Sequence, residues 1–404
     1  MKTTFKTFHS SLGDCIFLLL QSKKEQFSIM VDCGSYEKPI RQFVEEILKS
    51  EIDLLIITHI DNDHIIGITE MLSNDVKVNH IIFNCYQRSG YGETQKLDKS
   101  QRERLEAIEK EVGLIVNDII DPRHPTPRSA STAKQGVAAT ILGRPELKQV
   151  WDEPYTLCGT QVDLKEWGMI TFLSPTMNEI ENLDKEFRQA LFNELNVDNA
   201  MGKWDKQENM FEILLRYAML QDTSQVPMKK AKPAKAKPGT VTLEERLLKA
   251  ADEPVQTSQI TAANQASLAF VWEKDGHRVL IMGDANPDVV VEGLEQHYGK
   301  QSLPVLFDAI KVSHHGSHYN TTKALVRHAD AEHYFFTGGM ELKRPSEETL
   351  GRIALCPLPE GLQKRTLHFN YPTDLIEELK NNKSLKGKYK FSVDTKKNEL
   401  KFKL

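Results

Sequence analysis

Residues 57–67, "ITHIDNDHIIG", place two His and two Asp within six positions (59–64) directly after an apolar run. A chain that builds a buried strand and then loads its end with His59, Asp61, Asp63 and His64 presents either a polar turn or half of a metal site. As a turn, Asp63 caps the helix that follows, its carboxylate accepting a backbone N–H, and His64 is an ordinary neighbour. As a metal site, the dense spacing lets adjacent side chains of one short turn reach two different ions.

Three other stretches repeat the arrangement of an apolar strand followed at once by ligand-type residues. They are "IMVDCG" with Asp32, "LIMGDAN" with Asp284, and "IKVSHHGSH" with His314, His315 and His318. One strand ending in Asp is unremarkable, because Asp commonly begins turns. Four such ends, two of them carrying His, point to a single site at one edge of stacked sheets. Imidazole suits zinc, manganese and iron, whereas carboxylates favour harder ions and can bridge two of them. Two ions about 3.5–4 Å apart would activate water and polarise a phosphoryl or carbonyl oxygen.

The surrounding pattern is α/β. "CIFLLLQ" and "FSIMVDCG" are paired strands, "PIRQFVEEILKS" a helix with Pro at its start, "IDLLIITH" a buried strand and "IIGITEMLSN" the helix after it. "SLAFVWE" and "RVLIMGD" form a hairpin turned at Lys274-Asp275-Gly276. Residues 178–225 are a helical insertion with apolar faces in "NLDKEFRQALFNEL" and "NMFEILLRYAML". Residues 226–262 are a flexible basic linker, led by "VPMKKAKPAKAKPGT". The expected division is one domain over 1–404, with its core in about 1–177 and 263–404.

Composition narrows the class further. At 404 residues, 40 % hydrophobic and 27 % charged, the chain can bury a substantial core. A formal charge of −5 gives no global case for nucleic-acid binding, although a local basic groove remains compatible with it. Five dispersed cysteines read as reduced thiols, and no run approaches the roughly 18 apolar residues of a membrane span, so a cytoplasmic protein without membrane contact is expected.

With these motifs in hand, the sequence resembles the metallo-β-lactamase-fold hydrolases, in particular the nuclease domains of bacterial DNA-uptake (competence) channel proteins. The residues that carry the resemblance are Gly13-Asp14, Asp32-Cys33-Gly34, His-x-Asp-x-Asp-His at 59–64, "SLAFVW" before Gly283-Asp284, and Lys-Val-x-His-His-Gly-Ser at 311–317. The resemblance covers most of residues 1–345 and implies a four-layer αββα sandwich holding two divalent ions, Zn or Mn. It assigns His59 and Asp61 to the first metal. Asp63 and His64 serve the second, with Asp63 also orienting water. Asp284 bridges, and His314 or His315 completes the second position. Asp63 and His315 are the implied catalytic pair, Asp32 and Asp14 supporting residues, and Ser317 or His318 substrate contacts. Two departures bear on it. Asp61 stands where the family usually has a second His, and "LSPT", with Ser174 and Thr176, occupies the place of an isolated third-motif His. The first metal is therefore expected to be weakly held, with Mn²⁺ or Mg²⁺ favoured.

Hydrolysis by a metal-bound hydroxide follows from that reading. The foremost substrate class is a phosphodiester or nucleic acid, supported by the motif set and the Lys-rich 229–237 tract. A small-molecule hydrolase acting on a lactone, cyclic nucleotide or phosphate ester is the second, with the insertion as a lid. The third is a metal-stabilised protein that docks a partner through the insertion, as part of a multi-gene bacterial system such as phage defence.

Overall fold

A computed structural model of the chain describes residues 2–9, 13–74, 76–84, 94–120, 136–151, 155–197, 203–204, 207–221, 241–338, 344–396 and 398–403. Two sheets stack face to face between helical layers. The first contains β1 (Lys2–Thr7), β2 (Ile16–Gln21), β3 (Gln26–Val31), β4 (Leu54–Ile57) and β5 (Ile81–Phe83), with the last strand of the chain, Glu399–Lys403, on the outer side of β1. The second contains β6 (Gln161–Asp163), β7 (Met169–Ser174), β8 (Ala269–Lys274), β9 (His277–Ile281), β10 (Val305–Lys311), β11 (Ala329–Phe336), β12 (Arg365–Phe369) and β13 (Phe391–Asp394), side by side in chain order. Each sheet begins with antiparallel pairing and turns parallel, from β3 to β5 in the first and from β9 to β13 in the second.

Continuous apolar strands such as "IFLLL" are explained by burial on both faces. Ile16, Leu18 and Leu20 pack between the sheets with Phe270, Trp272 and Ile281, whereas Phe17 and Leu19 turn toward the helical layer. The β8–β9 hairpin closes through Asp275 (φ 49°) and Gly276 (φ 85°), the two positive values that a tight two-residue turn demands.

The helices that matter for the site are α1 (Asn62–Leu72), α2 (Lys99–Ile120), α3 (Val137–Gly143), α4 (Met177–Leu195), α5 (Gln207–Gln221), α6 (Leu243–Asp252), α7 (Pro287–Tyr298) and α8 (Glu347–Ala354). The insertion expected over 178–225 supplies α4 and α5, and its Leu183, Phe187, Leu191, Phe211 and Leu214 share one apolar cluster with Ile65, Ile68 and Ile57. It therefore packs onto the core. The flexible stretch expected over 226–262 is corrected from residue 241 onward. There Thr242 and Glu245 form a reciprocal capping box and α6 buries Leu247. It packs so closely on α8 that a Cβ on Gly351 would meet the Leu247 carbonyl at 2.3 Å. The Thr-x-x-Glu signal was present in "TLEERLLKAAD" but is overshadowed by the Lys/Pro run before it. The run itself, 226–240, lies outside the described residues. Among the described residues no helix is long and apolar enough to cross a membrane.

Candidate metal centre

Parallel neighbours end at the same edge, and here that edge collects the polar strand ends. β3 runs into Asp32, β4 into Thr58 and His59, β9 into Gly283 and Asp284, and β10 into the Ser313–Gly316 turn. Three left-handed backbone positions aim the side chains: Asp32 (φ 56°), His314 (φ 50°) and His315 (φ 56°). Gly13 (φ 62°) lets the N-terminal segment reach this edge, since a Cβ there would sit 1.8 Å from the Asp63 carbonyl oxygen. The Asp14 amide donates to that same oxygen at 3.0 Å. At the start of α1 the cap position belongs to Asp61, whose side chain makes no capping hydrogen bond, and Asp63 lies in the first turn. The helix-cap explanation of Asp63 is therefore set aside.

The side chains converge in two adjoining groups. In one, His59 Nε2 lies 3.6 Å from Asp61 Oδ2 and 3.8 Å from Asp284 Oδ2, with His314 Nε2 3.4 Å from the same Asp284 oxygen. In the other, His64 Nε2 lies 3.4 Å from Asp284 Oδ1 and 3.9 Å from Asp63 Oδ2, and His315 Nε2 is 2.8 Å from Asp63 Oδ2. Asp284 thus turns one oxygen to each group. Sequence reasoning left His314 and His315 as alternatives for one position, whereas the structure brings both rings to the cluster, on opposite sides of Asp284. The vacant third-motif place has a counterpart in this: Ser174 Oγ donates to the Ser267 carbonyl at 2.9 Å and Thr176 caps α4, so neither points to ligation, while His314 reaches the Asp284–His59 side instead. The Asp63–His64–His315 group is tight, with ligand atoms within 4.8 Å of one another, as is His59–His64–Asp284.

Hydrogen bonding orients every imidazole the same way. His64 Nδ1 is held by Asp32 Oδ2 at 2.8 Å, His314 Nδ1 by Asn320 Oδ1 at 2.9 Å, and His315 Nδ1 by the Thr337 carbonyl at 3.1 Å. These oxygens can only accept, so each Nδ1 carries the proton. Thr58 Oγ1 gives its own proton to Asp32 at 2.7 Å and therefore accepts from His59 Nδ1 at 2.9 Å. All four Nε2 atoms face inward. Such outer partners are the usual way a metal-ligating His is fixed. The buried atoms His59 Nε2, His64 Nε2, Asp61 Oδ1 and Asp284 Oδ1 have no hydrogen-bond partner among the described residues. Inward lone pairs facing buried carboxylate oxygens repel unless a cation lies among them. The residues present therefore fit divalent ions.

The charges agree. Burial would raise the Asp284 carboxyl, but His314 and His64 beside it hold it well below the usual carboxylate range. Burial would raise Asp63 as well, but His64 and His315 beside it hold its carboxyl below the usual range. Burial depresses His64, yet Asp284 and Asp63 raise it well above its ordinary value. His315 is raised in the same sense, Asp14 outweighing burial. For His314 burial prevails over Asp284 and lowers it to about 3. Without a cation, protons are drawn onto His64 and His315, two of the imidazoles that a metal would use.

A supporting layer surrounds the donors. Asp32 also accepts from the Thr58 amide at 2.8 Å, tying the end of β3 to the end of β4. Asp14 forms a fully buried ion pair with Lys311 and lies 3.3 Å from His315 Nδ1. Asn320 donates to the Asp284 carbonyl at 2.8 Å and Asn264 reaches His314 Nδ1 at 3.4 Å. Lys311, Asn320, Asn264 and Ser267 were not foreseen as part of the site. Two of them carried a signal: Lys311 opens the Lys-Val-x-His-His-Gly-Ser motif and Ser267 opens "SLAFVW". The insertion contributes too: Arg216 of α5 donates from Nε to Asn62 Oδ1 at 2.8 Å and sits 3.5 Å from Glu212. Of the two expected substrate contacts, Ser317 is buried, with its carbonyl accepting from Thr349 at 2.9 Å. His318 lines an open cavity of about 480 Å³ with Arg246, Lys249, Glu253, Tyr319 and Glu348.

Residues 14–82 match the family described as the metallo-beta-lactamase superfamily, a span that includes Asp14, Asp32 and the 59–64 cluster. No curated protein matches the chain. Matching solved structures include a variant of the CmlA β-hydroxylase, 8 % identical with a TM-score of 0.38, covering 99 % of this chain and 54 % of that one. This chain thus spans about half the length of that protein. Another is the metallo-β-lactamase fold protein YhfI from Bacillus subtilis, 9 % identical with a TM-score of 0.35, covering 100 % of this chain and 99 % of that one. The architecture is mixed α/β, two stacked sheets between helices, and the segment that matches the superfamily model carries β2 to β4 of the first sheet.

Proposed function

We propose that the protein is a metal-dependent hydrolase of phosphodiesters, with two divalent ions, zinc or manganese, as cofactors. The observation that carries this reading is the convergence of four inward Nε2 atoms on Asp61, Asp63 and a shared Asp284. His59, Asp61, His314 and one oxygen of Asp284 would hold the first ion. His64, Asp63, His315 and the other oxygen would hold the second. Bound there, such ions supply Lewis acidity toward water and toward a phosphoryl oxygen. The protein's own contribution is positional. Asp32, Asn320, Thr337 and Thr58 fix the imidazoles, and Asp63 stays partly exposed beside His315, where it can orient water and accept its proton. A match to the superfamily over residues 14–82, the segment bearing Asp32, His59, Asp61, Asp63 and His64, supports hydrolysis as the reaction class.

Nucleic acid is the foremost substrate, consistent with the competence-like motifs. A small phosphate ester is the second reading, favoured by α5 packing Arg216 against Asn62 at the edge of the site, as a pocket wall would. The test is metal content of the purified protein by mass spectrometry, beside Asp284→Ala, followed by hydrolysis of bis(p-nitrophenyl) phosphate, single-stranded DNA and RNA in Mn²⁺ and Zn²⁺. About two ions per chain, lost in the variant, and turnover of the diester are expected. Absence of metal uptake on reconstitution would overturn the proposal.

A further inference from the structure

The donor cluster opens to solvent at one place. Side-chain exposure is 19 % for Asp61, 20 % for Asp63 and 17 % for His314, but no more than 2 % for His59, His64, Asp284 and His315. Among the described residues, one guanidinium is tied to the backbone of His314, one of these partly exposed donors. Arg344, on the segment between β11 and α8, donates from Nη1 to the backbone carbonyl of His314 at 3.0 Å. Burial lowers its guanidinium, and the carboxylates of Asp284, Asp63 and Asp61 oppose that lowering. Among the described residues none of them approaches it within the 4.0 Å of an ion pair. The other cations near the site are already committed, Arg216 to Glu212 and Asn62 and Lys311 to Asp14.

A guanidinium has five donors in a rigid planar fork. Here one is fixed to the His314 carbonyl, and no other hydrogen bond of the group is made among the described residues. With divalent ions neutralising the carboxylates, the field at the mouth becomes positive. An anionic oxygen placed there satisfies the fork, whereas a neutral ester carbonyl leaves its charge unmatched.

We propose that Arg344 binds the non-bridging oxygens of a substrate phosphoryl group and so selects phosphate esters over neutral esters and lactones. This rests on the hydrolase reading above and names the residue through which that site chooses its substrate. Arg344 contributes the fork, and no proton leaves it.

The experiment compares metal-loaded full-length wild type with Arg344→Gln and Arg344→Lys. Metal content by mass spectrometry checks that the centre is intact. Titration calorimetry with inorganic phosphate reads the anion site independently of turnover. Initial rates are then compared for bis(p-nitrophenyl) phosphate and p-nitrophenyl acetate. The expected result for Arg344→Gln is unchanged metal content, phosphate affinity at least about 10-fold weaker, and a fall of about 100-fold in kcat/KM for the diester, with the acetate unaffected. Arg344→Lys should keep the metal and bind phosphate between the two, because an ammonium lacks the fork. Equal phosphate affinity in wild type and Arg344→Gln at equal metal content would overturn the proposal, as would equal losses on both esters. If Arg344→Gln loses metal, Arg344→Lys decides: weakened phosphate binding supports the assignment, and wild-type affinity overturns it. Phosphate binding that depends on Arg344 in a protein without diesterase activity would refute the hydrolase reading alone.

Discussion

Replacing Lys311 by Met tests whether the support beneath the metal centre is organised as described. Lys311 and Asp14 are both fully buried and paired with each other. Burial would raise the Asp14 carboxyl, but Lys311, followed by His315, holds it far below the usual carboxylate range. Met fills the space of the Lys stem and leaves an uncompensated carboxylate, a change worth about 3–5 kcal/mol of destabilisation. With an unfolding entropy of about 2.1 cal/mol/K per residue over 404 residues, that corresponds to a melting point lower by about 4–6 °C. Adding Asp14→Asn removes the orphaned charge and should recover more than half of the loss. The assay is differential scanning fluorimetry of the wild type, both single variants and the double variant, in chelator so that metal binding does not contribute. The sign with pH differs between proteins. In the wild type the depressed Asp14 stabilises at all pH values above its ordinary 3.9 or so, and the contribution fades only as pH falls toward the depressed value. In Lys311→Met burial acts unopposed by the ammonium, so the variant should regain stability as pH drops from about 8 to about 5. A loss below about 1 kcal/mol, or a double variant no better than the single, would refute the account of the pair.

Three further outcomes are expected. Because His64 and His315 are raised by the carboxylates around them, metal uptake near neutral pH should release protons and weaken as pH falls, measurable by calorimetry in buffers of different ionisation enthalpy. Gly13→Ala places a methyl 1.8 Å from the Asp63 carbonyl oxygen at a positive φ, so the variant should lose at least the ion held by Asp63 and His64, read as metal content after reconstitution. Arg216→Met leaves Glu212 buried among the Ala138 amide and Gly136, which should destabilise the packing of α5 by about 3 kcal/mol and speed proteolysis near residue 222, with Glu212→Gln partly restoring resistance.

Much of the architecture is legible from local pattern. Apolar runs bounded by turn residues mark the strands, Lys274-Asp275-Gly276 marks the hairpin, and ligand-type residues at four strand ends mark the edge where the donors meet. These signals depend on which residue follows which, and a strand end is where a ligand side chain can be held rigidly. The linker boundary was misread for a related reason: composition averaged over 226–262 hides the capping box that starts α6 at Leu243. What lay beyond reach was angular. Periodicity places His314 and His315 on one loop, but the left-handed backbone at both residues sends their rings to opposite sides of Asp284. Likewise, nothing local connects Asp14 with Lys311, Asn320 with Asp284, or Arg344 with the mouth of the cluster. Those contacts join segments 30 to almost 300 residues apart, and they exist because stacking the two sheets brings the ends of β3, β4, β9 and β10 to one edge.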